Sequence, residues 1–322
     1  MKDYLIRRVI VIVPTFFLIT VIIFGLIHAA PGDPVQAMMS GRPVSREIME
    51  QIRLDYGLDQ PIYVQYAKWV GKLLQGDLGF SYVESRTVWD LIAGRIPFTI
   101  ELTLLAEFIS IAIAIIFGVI AAVKHHTISD ALCSVGALLG YSTPDFWLGC
   151  IFILVFVVTL GWFPASGTQT VGLNFTSIFQ ALFDQLQHLV LPTLALVIIW
   201  TAYLFRIVRS SMLEVLAQDY IITARSKGLK EWIVIYKHAL RNALLPVVTY
   251  VGNSIGFLLS GEAVIESIFS WPGLGQLMVQ RAALRDYPAL MGLSVVIAIM
   301  VLVTNLVTDI AYAAVDPRIK YT

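Results

Sequence analysis

Long apolar runs separated by polar segments organise most of this chain. A helix needs about 20 predominantly apolar residues to cross the hydrocarbon core of a bilayer, and six runs reach or approach that length. The predicted spans are approximately Val9 to Ala30, Phe98 to Val123, Leu132 to Leu160, Leu189 to Val208, Leu244 to Gly261 and Tyr287 to Val315. The pattern therefore predicts an all-α integral membrane protein with six transmembrane helices.

Two of these runs are irregular. The third is long enough to be tilted or broken near Gly140, Ser142 and Pro144, because proline removes a helix hydrogen bond and clashes with the preceding turn. The fifth is weakened by Asn253 and Ser254. We therefore expect a break in the third span and a less regular fifth span.

The first run follows a basic N-terminal segment, as the core of a secretory signal would. Its apolar stretch is too long for such a signal, and further spans follow it. We expect residues 1–30 to remain as the first transmembrane helix, followed by an extracytoplasmic cap over 31–95. A five-helix core then occupies 96–322 and carries a cytoplasmic loop at 209–245.

The composition agrees with a membrane protein. Hydrophobic residues make up 58% of the chain and charged residues 14%, whereas about a quarter of the residues in soluble domains are charged. The 22 basic and 22 acidic residues cancel, so no excess positive charge is left to neutralise a run of nucleic-acid phosphates. The composition thus favours a lipid bilayer as the surroundings and excludes a nucleic-acid partner.

The distribution of Lys and Arg predicts the orientation. If the N-terminus is inside, the inner segments hold 13 of the 22 basic residues, whereas the outer loop from Gly161 to His188 contains none. Short cytoplasmic loops are enriched in Lys and Arg. Both termini and the loop 209–245 are therefore predicted to be cytoplasmic, in a multi-pass membrane protein.

The extracytoplasmic segment has its own helical pattern. A first amphipathic helix follows Ser45, a suitable N-cap, and stops at Gly57, and a second runs from Pro61 to Leu74. These features predict a small helical cap. The cap either packs against the membrane domain, docks a partner, or covers a transport pathway.

The cytoplasmic loop contains a short, capped helix. Asp219 is a suitable N-cap, Tyr220 to Lys227 can form two turns, and Gly228 stands where a left-handed residue often ends a helix. The positive-inside bias explains the basic residues of this loop. It does not explain the capped helix, the glycine corner or the small Ala224, which we expect to face outward. A docking element explains all three.

An apolar repeat supports the same interpretation. Apolar residues recur every four positions and form one helical face, consisting of Met212, Leu216, Tyr220 and Ala224. A partner, or the protein's own helices, can cover that face.

The stretches "DYIITARSKGL" and "HALRNALLP" resemble the Glu-Ala-Ala loop of ABC-importer permeases. Ala224 and Gly228 fit the spacing of the small residue and the glycine in that loop. Ile222 stands in the place of the glutamate and Thr223 in that of the first alanine. The loop thus resembles that of a divergent subgroup.

An ordered series of motifs extends the resemblance over essentially the whole chain. These are "LIRRVIVIVPTFFLITVIIFGLIHAAPGDP", "YGLDQPIYVQY", "GDLGFSY", "IESIFSWPGLG", "RDYP" and "DPRIKY". Together they resemble the B-type permease of the dipeptide, oligopeptide and nickel uptake family.

The resemblance implies a set of partners. They are a homologous C-type permease, two cytoplasmic ABC ATPases and an extracytoplasmic substrate-binding protein. The chain has no G-x-x-x-x-G-K-[ST] phosphate loop, so we predict that it is not itself an enzyme and needs no cofactor, and that the ATPases bind ATP and Mg²⁺. The residues implied to couple to the ATPase are Asp219, Tyr220, Ala224, Arg225 and Gly228.

Polar residues within the last two spans are candidates for the transport pathway or a gate, because polar groups inside a membrane face protein or water. They are Asn253, Ser254, Ser260, Asn305 and Asp309. The alternative is that they hold helices together or allow close packing.

The segment that follows the fifth span forms a predicted outer corner. Pro272 and Gly273 favour a turn, and Trp271 is typical of the membrane interface. We interpret the corner as structural support for an outer gate.

No pattern of chemistry-bearing residues points to catalysis or to a metal site. Cys133 and Cys150 lie seventeen positions apart in one apolar run, about 25 Å along a single helix, so we interpret them as unbridged apolar core residues. No Ser/His/Asp, H-E-x-x-H or zinc-ligand spacing is present.

The predicted function is that of a permease subunit of an ATP-driven importer working by alternating access. A stand-alone secondary transporter would predict inverted repeats and charged relays in mid-membrane, and neither is seen. Di- or oligopeptides are the first expectation for the cargo. Nickel, a metal chelate, glutathione and an oligosaccharide remain alternatives.

Overall fold

The computed structural model describes residues 2–29, 45–56, 59–81, 83–173, 175, 177–258 and 260–315. Several sequence predictions lie outside these residues, namely the helix stop at Gly57, the end of the first motif at 30–34 and the motif "DPRIKY" at 316–321. The described chain is almost entirely helical, with one two-stranded antiparallel hairpin.

The helices of the first part of the chain belong to the first span, the cap and the second span. They are α1 (Lys2–His28), α2 (Arg46–Tyr56), α3 (Ile62–Leu74), α4 (Val88–Ala93) and α5 (Ile96–Val123). The hairpin lies between α3 and α4 and pairs β1 (Phe80–Ser81) with β2 (Arg86–Thr87).

The middle of the chain contains a bent pair, one long helix and the short helices of the loop 209–245. They are α6 (Ile128–Ser142), α7 (Asp145–Phe152) with a first π-helix (Ile153–Thr159), α8 (Ile178–Leu216), α9 (Asp219–Ser226), α10 (Glu231–Ile233), a second π-helix (Val234–Ala239) and α11 (Leu240–Ala243). The last helices are α12 (Leu245–Leu258), α13 (Ala263–Ile268), α14 (Leu274–Ala283) and α15 (Tyr287–Val315).

Four stretches of the described residues are long and apolar enough to cross a membrane, namely Ile10–His28, Val88–Val123, Ile178–Leu216 and Tyr287–Ile310. They include the predicted first, second, fourth and sixth spans. The fourth is longer than predicted, because α8 begins after Ser177, whose hydroxyl caps the helix, and continues through Pro192.

The third predicted span is broken where the sequence indicated. Ile128–Ser142 and Asp145–Thr159 are bent by 100° at Thr143 and Pro144. Pro144 takes an extended conformation and precedes the first turn of α7, a position that proline tolerates well. The pair forms either a broken span or a re-entrant loop.

The fifth predicted span is shorter than expected. Its helix α12 comprises 14 residues, Leu245–Leu258, about 21 Å at the rise of an α-helix and less than the hydrocarbon thickness. Gly252, Asn253 and Gly256 dilute its apolar pattern, and Gly261 beyond it has a positive φ of 91°.

The chain divides into two compact units. The first consists of Met1–Thr99, Ile255–Ala263 and Pro272–Thr322, and the second of Ile100–Ser254 and Val264–Trp271.

In the first unit, the second cap helix lies along the first span. Tyr66 of α3 shares a hydrogen bond of 2.9 Å with Thr20 of α1, and Gln65 lies 3.1 Å from the imidazole of His28. Phe24 packs edge to face against the ring of Tyr66. The predicted packing role of the cap is therefore seen for α3.

A separate core of the first unit joins α4, α14 and α15. Its buried residues include Val88, Ile92, Leu274 and Leu293. Gly292 of α15 allows the close approach, because a Cβ atom there would lie 2.6 Å from a methyl group of Val88.

The core of the second unit surrounds the C-terminal half of α8. Leu204, Val208 and Met212 are fully buried against residues of α5 and of the loop 209–245. The cysteines of this unit are free, with Cys133 half-buried and Cys150 exposed. The interpretation of Cys150 as a core residue is therefore wrong, because Leu148 and Gly149 bury one face of α7 and Cys150 lies on its exposed side.

Candidate functional site

The short helix α9 of the loop 209–245 forms as a two-turn element. The residue that caps its N-terminus is Gln218, not Asp219 as predicted, and Asp219 occupies the first turn, where a negative charge interacts favourably with the helix dipole. Gly228 has a φ of 74° and donates its N–H to the carbonyl of Arg225 at 2.9 Å. The prediction of a left-handed glycine corner is confirmed.

The inner face of α9 is apolar and buried. Ile221 is fully buried and Ala224 retains 8% of its exposure, and both belong to the core around Val234 and Ala239 of the second π-helix. The prediction that Ala224 faces outward is therefore wrong. Its small side chain allows the helix to pack closely on the core.

The outer face of α9 is exposed, and we call it the docking face. Tyr220 and Ile222 expose 42% and 53% of their surface, and Thr223, Arg225 and Ser226 are also exposed. The apolar repeat predicted from Met212 to Ala224 is therefore divided, because Met212 and Ala224 are buried in the core while Tyr220 remains exposed.

Two polar contacts fix α9 to the helices that follow it. The Asn242 amide donates to the Tyr220 hydroxyl at 2.8 Å. The guanidinium of Arg225 donates from two nitrogens to both oxygens of Glu231, at 2.7 and 3.3 Å, across the Gly228 corner. This guanidinium holds the pKa of Glu231 below its usual range. The sequence analysis missed both contacts.

A second polar cluster lies where α8 approaches the turn between α5 and α6. Asp130 is buried and accepts hydrogen bonds from Arg209 at 2.7 and 2.9 Å. The imidazole of His125 lies 2.9 Å from the same carboxylate. These contacts tie α6 to α8, and they were also missed, although the basic turn before α6 was visible in the sequence.

Two of the pathway candidates lie in the second unit. The Ser254 hydroxyl donates to the carbonyl of Val251 at 3.0 Å and to the buried carboxylate of Glu107 at 3.4 Å. Asn253, one position earlier on α12, is exposed. Gln185 donates to the carboxylate of Glu101, two turns before Glu107 on α5.

The other three candidates lie in the first unit. Asp309 accepts a hydrogen bond of 2.9 Å from Arg8 of α1, a contact that joins two spans. Asn305 lies beside Gly256, whose missing Cβ would stand 3.3 Å from the amide oxygen, and Ser260 is half-buried. The contacts of Asp309 and Asn305 support their role in holding helices together.

The predicted outer corner is more buried than expected. Trp271 is fully buried and donates its backbone N–H to the carbonyl of Glu266 at 2.8 Å. Its predicted place at the membrane interface is therefore wrong, because a buried indole packs within the protein. Pro272 is half-buried, and buried Gly273 precedes the first turn of α14.

Two of the sequence motifs meet in the first unit. The Ser81 hydroxyl of "GDLGFSY" donates to Asp286 of "RDYP" at 2.5 Å. Arg281 donates to Glu84 at 2.6 Å, and its guanidinium also lies 3.6 Å from the carboxylate of Asp286. The hairpin is thus fixed to the corner between α14 and α15.

Comparisons with known proteins agree with this architecture. Residues 114–321 match the family described as binding-protein-dependent transport system inner membrane component, and residues 1–103 match the family of its N-terminal part. The inward-facing MetNI methionine ABC transporter has a similar fold, with a TM-score of 0.55 and 19% identity over 70% of this chain and 96% of that chain.

Full-length relatives show higher identity. The oligopeptide transport system permease protein AppB of Bacillus subtilis (strain 168) is 45% identical over the whole of both chains. The di/tripeptide transport system permease protein DppB of Pseudomonas aeruginosa is 40% identical over 100% of this chain and 99% of the relative. The glutathione transport system permease protein GsiC of Escherichia coli K12 is 39% identical over the whole of both chains.

The fold and the sequence matches define a multi-pass membrane permease of the type I ABC-importer class. More particularly, the chain belongs to the family of inner-membrane components of binding-protein-dependent transport systems.

Proposed function

We propose that this permease is driven by partner ATPases that bind at the docking face of α9. The observation that carries the proposal is the contrast between the two faces of this helix. Ile221 and Ala224 are buried in the core, whereas Ile222 is 53% exposed on the opposite side. Other apolar side chains on this helix or just beyond it are exposed as well, namely Tyr220, Leu229 and Trp232. Several exposed apolar side chains on and beside a firmly packed helix are suited to a protein partner.

The mechanical consequence follows from packing. The core beneath α9 continues to Met212 and Val208 of α8, a helix of 39 residues. A displacement of α9 by the ATPases is therefore transmitted to a long, rigid helix. Alternating access results when ATP binding and hydrolysis favour opposite positions of these elements.

The same proposal includes the remaining partners and the orientation. A C-type permease completes the membrane pathway, an extracytoplasmic binding protein delivers the cargo, and two ATPases hold ATP and Mg²⁺. Both termini and α9 face the cytoplasm, as the distribution of Lys and Arg indicates.

Peptides are the proposed cargo. Two of the full-length relatives are named for oligopeptides and di/tripeptides, and a third for glutathione, itself a small peptide derivative. Mass spectrometry of the cargo released from the co-purified binding protein tests this. A short peptide supports the proposal, and a metal chelate or an oligosaccharide contradicts it.

The docking proposal is tested by Ile222→Asp, which places a charge on the exposed face and leaves the buried face intact. We expect loss of ATPase co-purification and of substrate-stimulated ATP hydrolysis. Lys237→Asp is the matched control, because Lys237 is exposed in the same loop but lies outside α9. Unchanged association and hydrolysis with Ile222→Asp would show that the ATPase binds elsewhere.

A further inference from the structure

A cleft of about 540 Å³ opens between α6 and α8 in the second unit. Most of its wall is apolar or aromatic and is formed by Ala137, Leu138, Tyr141, Tyr203, Phe205 and Ile207. Two arginines and two serines complete it, namely Arg206, Arg209, Ser134 and Ser210. The cleft thus combines an apolar trough with a small cationic region.

The two arginines of the cleft differ in their ion pairing. Arg209 is bound to both carboxylate oxygens of Asp130. Arg206 is exposed and lies over the ring of Tyr141, 5.5 Å from its centroid. Within the part of the chain that the structure describes, no carboxylate forms an ion pair with Arg206. The cleft therefore holds one cation whose charge no described carboxylate neutralises.

One further basic residue lies nearby. The turn between α5 and α6 carries exposed Lys124, and His125 of the same turn lies 3.2 Å from the guanidinium of Arg209. Asp130, the carboxylate that contacts this region, is already engaged by Arg209 and His125. An anion entering the cleft would meet a positive environment.

The place of Arg206 on its helix indicates which kind of anion the cleft binds. It lies on a membrane-length helix, where an unpaired charge is expensive unless it reaches water, protein or a headgroup. In the proposed orientation this end of α8 faces the cytoplasmic leaflet, whose anionic lipids bind basic pockets between helices. The adjacent face of α6 is exposed and apolar, with Leu138 and Leu139 more than 60% exposed.

We propose that this cleft binds an anionic phospholipid. The phosphate accepts hydrogen bonds from Arg206, and one acyl chain occupies the trough along Leu138 and Phe205. The inference rests on the proposed orientation and not on the identity of the cargo. A lipid held here contacts α6 and α8 together, at the end of α8 that leads to α9.

Native mass spectrometry of the assembled transporter, exchanged into mixtures of phosphatidylglycerol and phosphatidylcholine, tests the proposal. We expect Arg206→Gln to lower phosphatidylglycerol retention about fivefold, which corresponds to about 1 kcal/mol for one arginine at an anionic surface. Arg206→Lys keeps the charge and is expected to retain most of the lipid. Leu138→Trp fills the trough from an exposed position and is expected to lower retention as well.

Lys237→Gln is the matched control, because it removes an exposed cytoplasmic charge outside the cleft. Its phosphatidylglycerol retention is expected to equal that of the wild type. Equal retention by Arg206→Gln and the wild type, or an equal loss with Lys237→Gln, would overturn the proposal.

Two further results would assign the cleft to another occupant. Loss of peptide-stimulated ATP hydrolysis in Arg206→Gln, with lipid retention unchanged, would place it on the cargo pathway. Loss of the partner permease in Leu138→Trp, with lipid retention unchanged in Arg206→Gln, would make it a subunit interface. The lipid measurement does not depend on which surface of this subunit the ATPase binds, so a failure of the proposed function remains distinguishable from a failure of this inference.

Discussion

Two arginine-centred ion pairs in the described part of the chain, Arg281–Asp286 and Arg225–Glu231, differ in burial. In the first unit, the Arg281 side chain is only 5% exposed and lies between Glu84, which is 41% exposed, and Asp286, which is 1% exposed. In the loop 209–245, the side chains of Arg225 and Glu231 are 44% and 54% exposed. An exposed pair contributes little to stability, whereas a buried pair is costly to break. The Arg281–Asp286 pair therefore stabilises the fold, whereas the Arg225–Glu231 pair leaves charged side chains available to a partner.

The largest expected effect is that of breaking the buried pair. We expect Arg281→Met to lower the free energy of unfolding by about 3–5 kcal/mol, because it leaves the buried carboxylate of Asp286 without its cation. Thermal unfolding in detergent, followed by tryptophan fluorescence, measures this. Arg225→Met is the matched change in the exposed pair. If it lowers the free energy of unfolding equally, burial does not distinguish the two pairs.

The next effect concerns the inner face of α9. Ala224→Leu is expected to lower the free energy of unfolding by about 1–3 kcal/mol, because added methylene groups overpack a closed core. Ile222→Leu, at an exposed position of the same helix, is the control and should leave the free energy of unfolding nearly unchanged. A neutral result for Ala224→Leu in the same unfolding assay would mean that this face of the helix is not closely packed.

A smaller effect on stability is expected from the exposed pair itself. Arg225→Gln should change the free energy of unfolding by less than about 1 kcal/mol, while it weakens ATPase association measured by co-purification. The charge swap Arg225→Glu with Glu231→Arg separates the two roles. If the swapped protein binds the ATPase as well as the wild type does, the ion pair stabilises the loop and does not contact the ATPase.

The smallest effect is a dependence on pH. Hydrogen bonding to Arg281 lowers the pKa of Glu84, so its stabilisation is present above the unfolded-state pKa of about 4.3. It is lost as the pH falls through the lower pKa of the folded state. Unfolding temperatures recorded between pH 7 and pH 3 should therefore fall less steeply for Glu84→Gln than for the wild type. If the unfolding temperatures of Glu84→Gln and the wild type fall in parallel with pH, the pKa of Glu84 is not lowered in the folded state.

Regular patterns in the sequence predicted much of this fold. The apolar runs located α1, α5, α8 and α15, because a span must be long and continuous. Pro144 indicated the bend between α6 and α7, since proline restricts the backbone in any surroundings. Gly228 indicated the corner after α9 for a similar local reason. These predictions depend on backbone chemistry within a few residues.

Predictions that depend on distant neighbours were weaker. Ala224 was expected to face outward and Trp271 to lie at the membrane interface, but both are buried within the protein. The pairing of Arg209 with Asp130 spans 79 positions, and that of Arg281 with Glu84 spans 197. No local pattern of residues specifies such contacts, so they became visible only in the fold.

The docking face of α9 is tested most directly by thiol labelling of Ile222→Cys, with Cys133 and Cys150 replaced by serine. A membrane-impermeant maleimide should label this cysteine in inside-out vesicles that lack the ATPase, and bound ATPase should protect it. Ala224→Cys, on the buried face, should remain unlabelled in both preparations. Labelling of Ile222→Cys that is equal with and without bound ATPase, or that occurs from the extracytoplasmic side, would contradict the account.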